Sequence, residues 1–513
     1  MKPFKLLFAF FFVVLIASCS KDDGKISFTV LQINDVYEIA PIQNGQYGGM
    51  ARVETVHQEL LAKDENTMLV IAGDFLNPSL IGTMKYEGKK VSGRQMVDVM
   101  NAMNLDLAAF GNHEFDVKEH ELEKRLNEST FPWISANVFH VKENDTLSFT
   151  QSSNGVEQRV VGSYIREISD KDGTIIKVGF ISTCINSNPK DFVYYSDAKK
   201  AIVDEYNKIK DEVDVILGLT HVTIAEDREI AALLPDLPLI MGGHEHTKKD
   251  EMVGNVSIKK ADANAKSAYI HTINFDKKTK ETSVESLLKY IDTTVAFNPN
   301  VEAVVNKWKD IMDKEISKVV DDPYCVIYNS EVPLIGKDTP IRSVQTNLGG
   351  IVATSMSYSY NNKVDCALIN GGAIRIDDDL IGDINSVDIF RVLPYGGKTM
   401  KVTMTGKLLK EVLEFGENAA GSGAYLQRHD AEKDGEVWKV QGKSILDTKN
   451  YLVAISDYLL LGLDIPFLTA EAKGVLNVYV PKEDEMPFDV RKGTIDYLKK
   501  QSEKLNQELP ACN

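Results

Sequence analysis

Asp35, Asp74, Asn112-His113, His221 and the pair His244 and His246 combine carboxylate, carboxamide and imidazole groups, with no thiolate among them. That donor set suits hard or borderline divalent ions such as Mn, Mg or Zn, and the chemistry to expect first is metal-assisted hydrolysis. Each of these residues ends an apolar run. Phe28 to Ile33 leads into Asn34-Asp35, Met68 to Gly73 into Asp74, Leu107 to Gly111 into Asn112-His113, Val215 to Thr220 into His221, and Leu237 to Gly243 into His244-Glu245-His246. Four of the nine histidines therefore follow directly on strand-like segments.

Strands of one sheet place their ends side by side, and in α/β sheets that edge is where ligands bind. Donors far apart in the sequence can converge there. From Lys25 to about Ile291 such runs alternate with amphipathic stretches, for example Ser92 to Asn104, where Met96, Val99, Met100 and Met103 recur at helical spacing and Ser92 can cap. The alternation predicts an α/β domain with helices outside. Tyr269 to Phe275 and Val284 to Ile291, joined by Asp276-Lys277-Lys278, read as a closing hairpin. Val301 to Val319 reads as a connecting helix, with Val304, Val305, Trp308, Ile311, Met312 and Ile316 on one face and Asp321-Asp322-Pro323 ending it. The expected division is 25–295, a connecting helix in 296–322, and a second domain over 323–509.

At 513 residues the chain exceeds what one core supports, which fits two domains. Its formal net charge is −17, so the surface repels polyanions and polymeric nucleic acid is excluded as a partner, whereas small anionic substrates are not. The start has a basic head, an apolar run from Leu6 to Ile16 and then Ala17-Ser18-Cys19, the pattern of a secretory leader. Ile16-Ala17-Ser18-Cys19 resembles a bacterial lipobox, which predicts a signal peptide over 1–18, lipidation of Cys19 and an exported lipoprotein of the outer membrane, on its periplasmic face or at the cell surface. Ser20-Lys21-Asp22-Asp23 looks like a short surface-sorting tag. Cys184, Cys325, Cys366 and Cys512 leave the disulfide pairing open.

Asn112-His113-Glu114-Phe115-Asp116 and Gly243-His244-Glu245-His246 carry a more specific signal. They resemble the calcineurin-like metallophosphoesterases, with their series D-x-H, GD, GNH(E/D), H and GHxH, and more narrowly the 5'-nucleotidase family. That resemblance implies an αββα sandwich catalytic domain, a connecting helix and an α/β substrate-recognition domain, with the active site between the domains. It implies two divalent ions, Zn, Mn or similar, which neutralise the phosphate ester and acidify a water. Asp74 would bridge them, Asn112, His221 and His244 would complete one ion, and Asp35 and His246 would bind the other. His113 would face the phosphate, held by Asp116.

One departure stands out, because Asp35-Val36-Tyr37 has tyrosine where the family usually has a histidine ligand. In the second domain Arg342, Asn370 and Arg375, within Asn370-Gly371-Gly372-Ala373-Ile374-Arg375, resemble the segments that hold phosphate, sugar and base. Tyr425 and Phe467 are the candidates for stacking on either face of a base. The expected function is release of phosphate from nucleoside 5'-monophosphates. The alternatives are hydrolysis of a UDP-sugar or a 2',3'-cyclic nucleotide, or nucleotide capture by a surface lipoprotein whose metal centre is degenerate at Tyr37.

Overall fold

The computed structural model describes residues 22–143, 145–153, 155–187 and 189–510. The leader, Cys19 and Cys512 lie outside the described residues. All five apolar runs that carry candidate ligands form strands: Lys25–Ile33, Met68–Ile71, Leu107–Ala109, Val215–Thr220 and Leu239–Gly242.

The first three belong to one six-stranded sheet. Lys25–Ile33 runs parallel to Met68–Ile71, with Val30 opposite Met68, and Met68–Ile71 runs parallel to Leu107–Ala109. On its other edge Lys25–Ile33 pairs antiparallel with Ser267–Asp276, which turns back into Glu281–Tyr290 as the expected hairpin. The second six-stranded sheet places Val215–Thr220 parallel to Leu239–Gly242.

Successive side chains on a strand point to opposite faces, so a strand buried on both sides is apolar throughout. Phe28, Val30, Met68, Val70 and Leu107 meet Val178, Phe180, Leu217, Leu219 and Met241 between the sheets. Leu31, Ile33, Leu69 and Ile71 point the other way, into the layer containing Val53, Val56 and Met96 of the outer helices Met50–Leu61 and Arg94–Ala102. Ile202 and Ile230 of helices Ala198–Ile209 and Ile224–Leu233 cover the far face of the second sheet. Helix, sheet, sheet and helix are thus four layers around three apolar interlayers.

Ser92 does not cap its helix. The N-cap of Arg94–Ala102 is Gly93 in a left-handed conformation, and Ser92 itself has φ +43° with a buried hydroxyl. The connecting helix spans Pro299–Ile316 rather than 301–319, because the Asn298 side chain accepts from the Asn300 and Val301 amides and Pro299 fits the first turn. Its buried face, Val301, Val305, Trp308, Met312 and Ile316, packs on Met50–Leu61 and Arg94–Ala102.

Beyond it a five-stranded sheet runs in the order Leu426–His429, Cys366–Asn370, Asn450–Ser456, Thr399–Thr405, Val475–Tyr479, with helices Asn347–Tyr358, Gly406–Asn418 and Val490–Leu505 beside it. Cys325 is in a disulfide, while Cys184 and Cys366 are buried free thiols. Among the described residues no helix is long and apolar enough to cross a membrane.

Candidate active site

The ligand-bearing strand ends meet at one edge of the sandwich. One oxygen each of Asp35 and Asp74 and one ring nitrogen of His221 lie within 4.8 Å of one another, all three side chains buried. His221 Nε2 is 3.0 Å from Asp74 Oδ2, and His246 Nε2 is 3.3 Å from Asp35 Oδ1. The His244 amide donates to both Asp35 oxygens at 3.0 and 3.1 Å, and its ring packs edge-on against that of His221. The His113 amide donates to Asp74 Oδ1 at 2.7 Å, which brings Asn112-His113 to the same edge.

The backbone turns sharply to aim these side chains. Asp35, Asp74, His244 and His246 have φ between +51° and +88°, a region that non-glycine residues rarely occupy and that clusters at functional sites. Gly111 must be glycine, since a Cβ there would stand 2.2 Å from Asp74 Oδ1.

Hydrogen bonds fix the imidazole orientations. A carbonyl can only accept, so Nδ1–H of His221 donates to Ala72 O (2.7 Å) and Nδ1–H of His246 donates to Asp377 O (2.9 Å). In both rings Nε2 is left facing the carboxylates. Asn112 Oδ1 is buried without a hydrogen-bond partner among the described residues, while His221 Nε2 meets the Asp74 carboxylate. Two buried carboxylates, imidazole nitrogens turned toward them and an unpartnered carboxamide oxygen are a donor set that fits divalent ions.

Burial lowers His221 and His246, but Asp74 beside the first and Asp377 and Asp35 beside the second outweigh it, raising His221 to about 9 and His246 well above the usual imidazole value, so in the metal-free site both carry a proton that a divalent ion would displace. Burial pushes the Asp35 and Asp74 carboxyls up, but His246 and His221 more than offset it and hold both below the usual range. Burial, then the charge on His221, lowers His244 to about 3. Tyr37 stands inside this cluster, its hydroxyl 3.0 Å from His246 Nε2 and 3.3 Å from Asp74 Oδ2. Burial and then Asp74 keep its phenol well above the usual value, so it offers a neutral hydroxyl.

His113 Nδ1 contacts Asp116 Oδ2 at 2.8 Å, and the same oxygen accepts from Arg375 Nη2 of the second domain at 2.8 Å. Lys190 Nζ is 3.2 Å from Asp116 Oδ1. Arg342 Nη2 pairs with Asp338 Oδ1 at 2.8 Å, and Asn370 Nδ2 donates to Asp464 Oδ2 at 2.8 Å. Phe467 presents an exposed ring against Phe415. Tyr425 does not offer an open face. Its ring is buried, with the hydroxyl taking a hydrogen bond from the Gln345 amide, so the stacking expected of it needs a surface that this structure covers.

Three residues that sequence reasoning passed over position the site. Glu114 accepts from the amides of Asp74, Phe75, Leu76 and Gly111 at 2.6–3.1 Å, fastening the two loops on which Asp74 and Asn112 sit. Lys260, buried beside Asp227 and Glu245, donates to the carbonyls of Val222 and Gly243 and so ties the segments after His221 and before His244. Asp377 reaches the histidines from the second domain. Glu114 follows directly on the Asn112-His113 pair and could have been suspected, while Lys260 had no local signal.

Residues 28–248 match the model of the calcineurin-like phosphoesterases, and residues 326–470 match that of the 5'-nucleotidase C-terminal domain. The chain belongs to the 5'-nucleotidase family of calcineurin-like metallophosphoesterases. As a member of that family it is a metal-dependent phosphoester hydrolase. It is 28% identical over 463 residues to the trifunctional nucleotide phosphoesterase YfkN of Bacillus subtilis, covering 83% of this chain but only 30% of that protein's length. Human 5'-nucleotidase is 26% identical over 456 residues, covering 79% of this chain and 74% of the human one. The fold matches that of a 5'-nucleotidase precursor from Thermus thermophilus, with TM-score 0.65 and 20% identity, over 93% of this chain and 97% of the other. The sulfate thiohydrolase SoxB, also of Thermus thermophilus, shares the fold at TM-score 0.60 and 14% identity, covering 92% of this chain and 94% of that one, so the fold does not by itself choose the ester.

Proposed function

We propose that this family member releases phosphate from nucleoside 5'-monophosphates. The observation that carries the reading is the meeting of two half-sites: a buried metal-type donor set on the first domain, and Arg375 of the second domain directed onto Asp116, the partner of His113. Asp35 and His246 would hold one ion, Asn112, His221 and His244 the other, with Asp74 shared. Bound there, the ions would neutralise phosphoryl oxygens and lower the pKa of a water.

The protein's own groups do the rest. His113, anchored through Nδ1, presents Nε2 toward the ligand cluster, where it can hydrogen-bond a phosphoryl oxygen and support the leaving oxygen. Arg375 and Arg342 have the bidentate geometry that suits the phosphate and sugar side of a nucleotide, Asn370 suits a base edge, and Phe467 offers a ring for stacking. Nucleotide-sugar and 2',3'-cyclic nucleotide hydrolysis use the same machinery. Tyr37 in place of a histidine supports a second reading, a nucleotide-binding protein with little turnover. We also propose that the chain is exported and anchored through a lipid on Cys19, which the Leu6 to Cys19 pattern supports.

The test is phosphate release from 5'-AMP, UDP-glucose and 2',3'-cyclic AMP with Mn and with chelator, beside Asp74→Ala. Mn-dependent release from 5'-AMP, abolished in the variant, is the expected outcome. Nucleotide binding without release from any of the three would favour the capture protein.

A further inference from the structure

Asp377 belongs to the second domain, two residues beyond Arg375, yet its atoms lie among the histidines of the first. Its Oδ2 is 3.4 Å from His246 Nε2 and 3.8 Å from His113 Nε2, its carbonyl receives His246 Nδ1–H, and its Oδ1 accepts the Asp338 amide at 2.8 Å. Its neighbours in the acidic run Asp377-Asp378-Asp379 have ordinary cations: Lys266 is 3.0 Å from Asp378, and Lys337 is 3.8 Å from Asp379. Asp377 is buried, and among the described residues no lysine or arginine lies within ion-pair distance of it. A buried carboxylate needs a cation or a full set of donors.

The orientation of His246 shows where that cation belongs. Because Nδ1 carries the proton given to the Asp377 carbonyl, Nε2 in its ligating form is a lone pair. It then faces Asp35 Oδ1 at 3.3 Å and Asp377 Oδ2 at 3.4 Å, two acceptors set against a third. Such an arrangement needs positive charge among its members, a proton on Nε2 in the metal-free chain or a metal ion in its place, and neighbouring donors on one ion with bonds of about 2.0–2.2 Å stand about 3 Å apart, which is the spacing seen here. Asp377 also has φ +46°, sharing the left-handed backbone of Asp35, Asp74, His244 and His246.

We propose that Asp377 is a metal ligand supplied by the second domain to the ion held by Asp35 and His246, making up for the tyrosine at position 37. This rests on the two-ion reading of the site. It follows that the ligand set is complete only when the domains are docked, so metal affinity and domain closure are linked.

The test is Mn(II) binding to the full mature chain, by isothermal titration and by metal content after gel filtration, for wild type, Asp377→Asn, the control Asp379→Asn and the double variant Tyr37→His with Asp377→Asn. Wild type and Asp379→Asn are expected to hold two ions. Asp377→Asn should keep one and bind the other on the order of 10- to 100-fold more weakly. A histidine at position 37 should restore it, which loss of fold in Asp377→Asn could not mimic. Two ions bound to Asp377→Asn as tightly as to wild type would overturn the proposal. So would unchanged metal content with a lowered KM, which would make Asp377 a stand-in for substrate phosphate. Wild type that takes up no Mn would instead remove the two-ion reading itself.

Discussion

His271 offers a stability experiment whose size follows from the structure. The imidazole is fully buried in the hairpin strand Ser267–Asp276, stacked on Tyr269, between Gln32 and Ser286. Gln32 gives its amide hydrogens to the carbonyls of Gly242 and Lys259 in the opposite sheet, so its Oε1 must accept from His271 Nε2–H at 2.9 Å. His271 Nδ1 is then left to accept from the Ser286 hydroxyl at 2.8 Å. Burial first, and then the charge of Lys259, lowers the pKa from 6.5 to about 3. The unfolded chain therefore binds a proton below pH 6.5 that the folded chain refuses until about pH 3, and stability falls as the pH drops through that window. At pH 5 the gap of about 1.5 units, at roughly 1.36 kcal/mol per unit, amounts to about 2 kcal/mol, against a few tenths at pH 7. Urea unfolding of wild type and His271→Gln at pH 7, 6 and 5, all in chelator so that metal release does not contribute, should show wild type losing about 2 kcal/mol more than the variant. Parallel pH profiles would refute the reasoning, whatever the offset between them.

Gly111→Ala should lower phosphate release by about 100-fold or more, because its Cβ would displace the Asp74 carboxylate, and misplacement by about 1 Å has that effect; near-normal turnover would mean that the loop yields. Trp308→Ala should destabilise by about 3–5 kcal/mol in urea, as this fully buried ring fills the contact between the connecting helix and the first domain and its Nε1–H bonds Asp98 at 3.2 Å.

The ligand-bearing strands were readable because both chemical signals sit in adjacent residues: an apolar run buried on both faces, then an abrupt donor. Met96, Val99, Met100 and Met103 were readable as a buried face for the same reason. The helix start was not, since Gly93 can adopt the left-handed turn that Ser92 was expected to make unnecessary. What could not be read depends on the meeting of distant segments. Lys260 looks like any strand-end lysine until the fold brings it between Asp227 and Glu245. Asp377 looks like one of three solvated acids until the domains dock. Tyr425 fits a stacking motif, but in the fold its ring is buried and its hydroxyl is held by Gln345, 80 residues away in sequence.

Asp35 and Asp74 come from one sheet of the sandwich and His221 and His244 from the other, and Asp35 meets the His244 amide across 209 residues of chain. Those donors come together only when both sheets of the first domain have formed and packed, so a divalent ion held by them would report completed folding of that domain. A divalent ion held by donors from both sheets would act as a rivet between them: at free metal about a hundredfold above Kd it would add about 2.7 kcal/mol against any opening of the layer they share. Stripping the metal should therefore loosen both sheets together, and protease resistance of the first domain would follow metal supply as closely as turnover does.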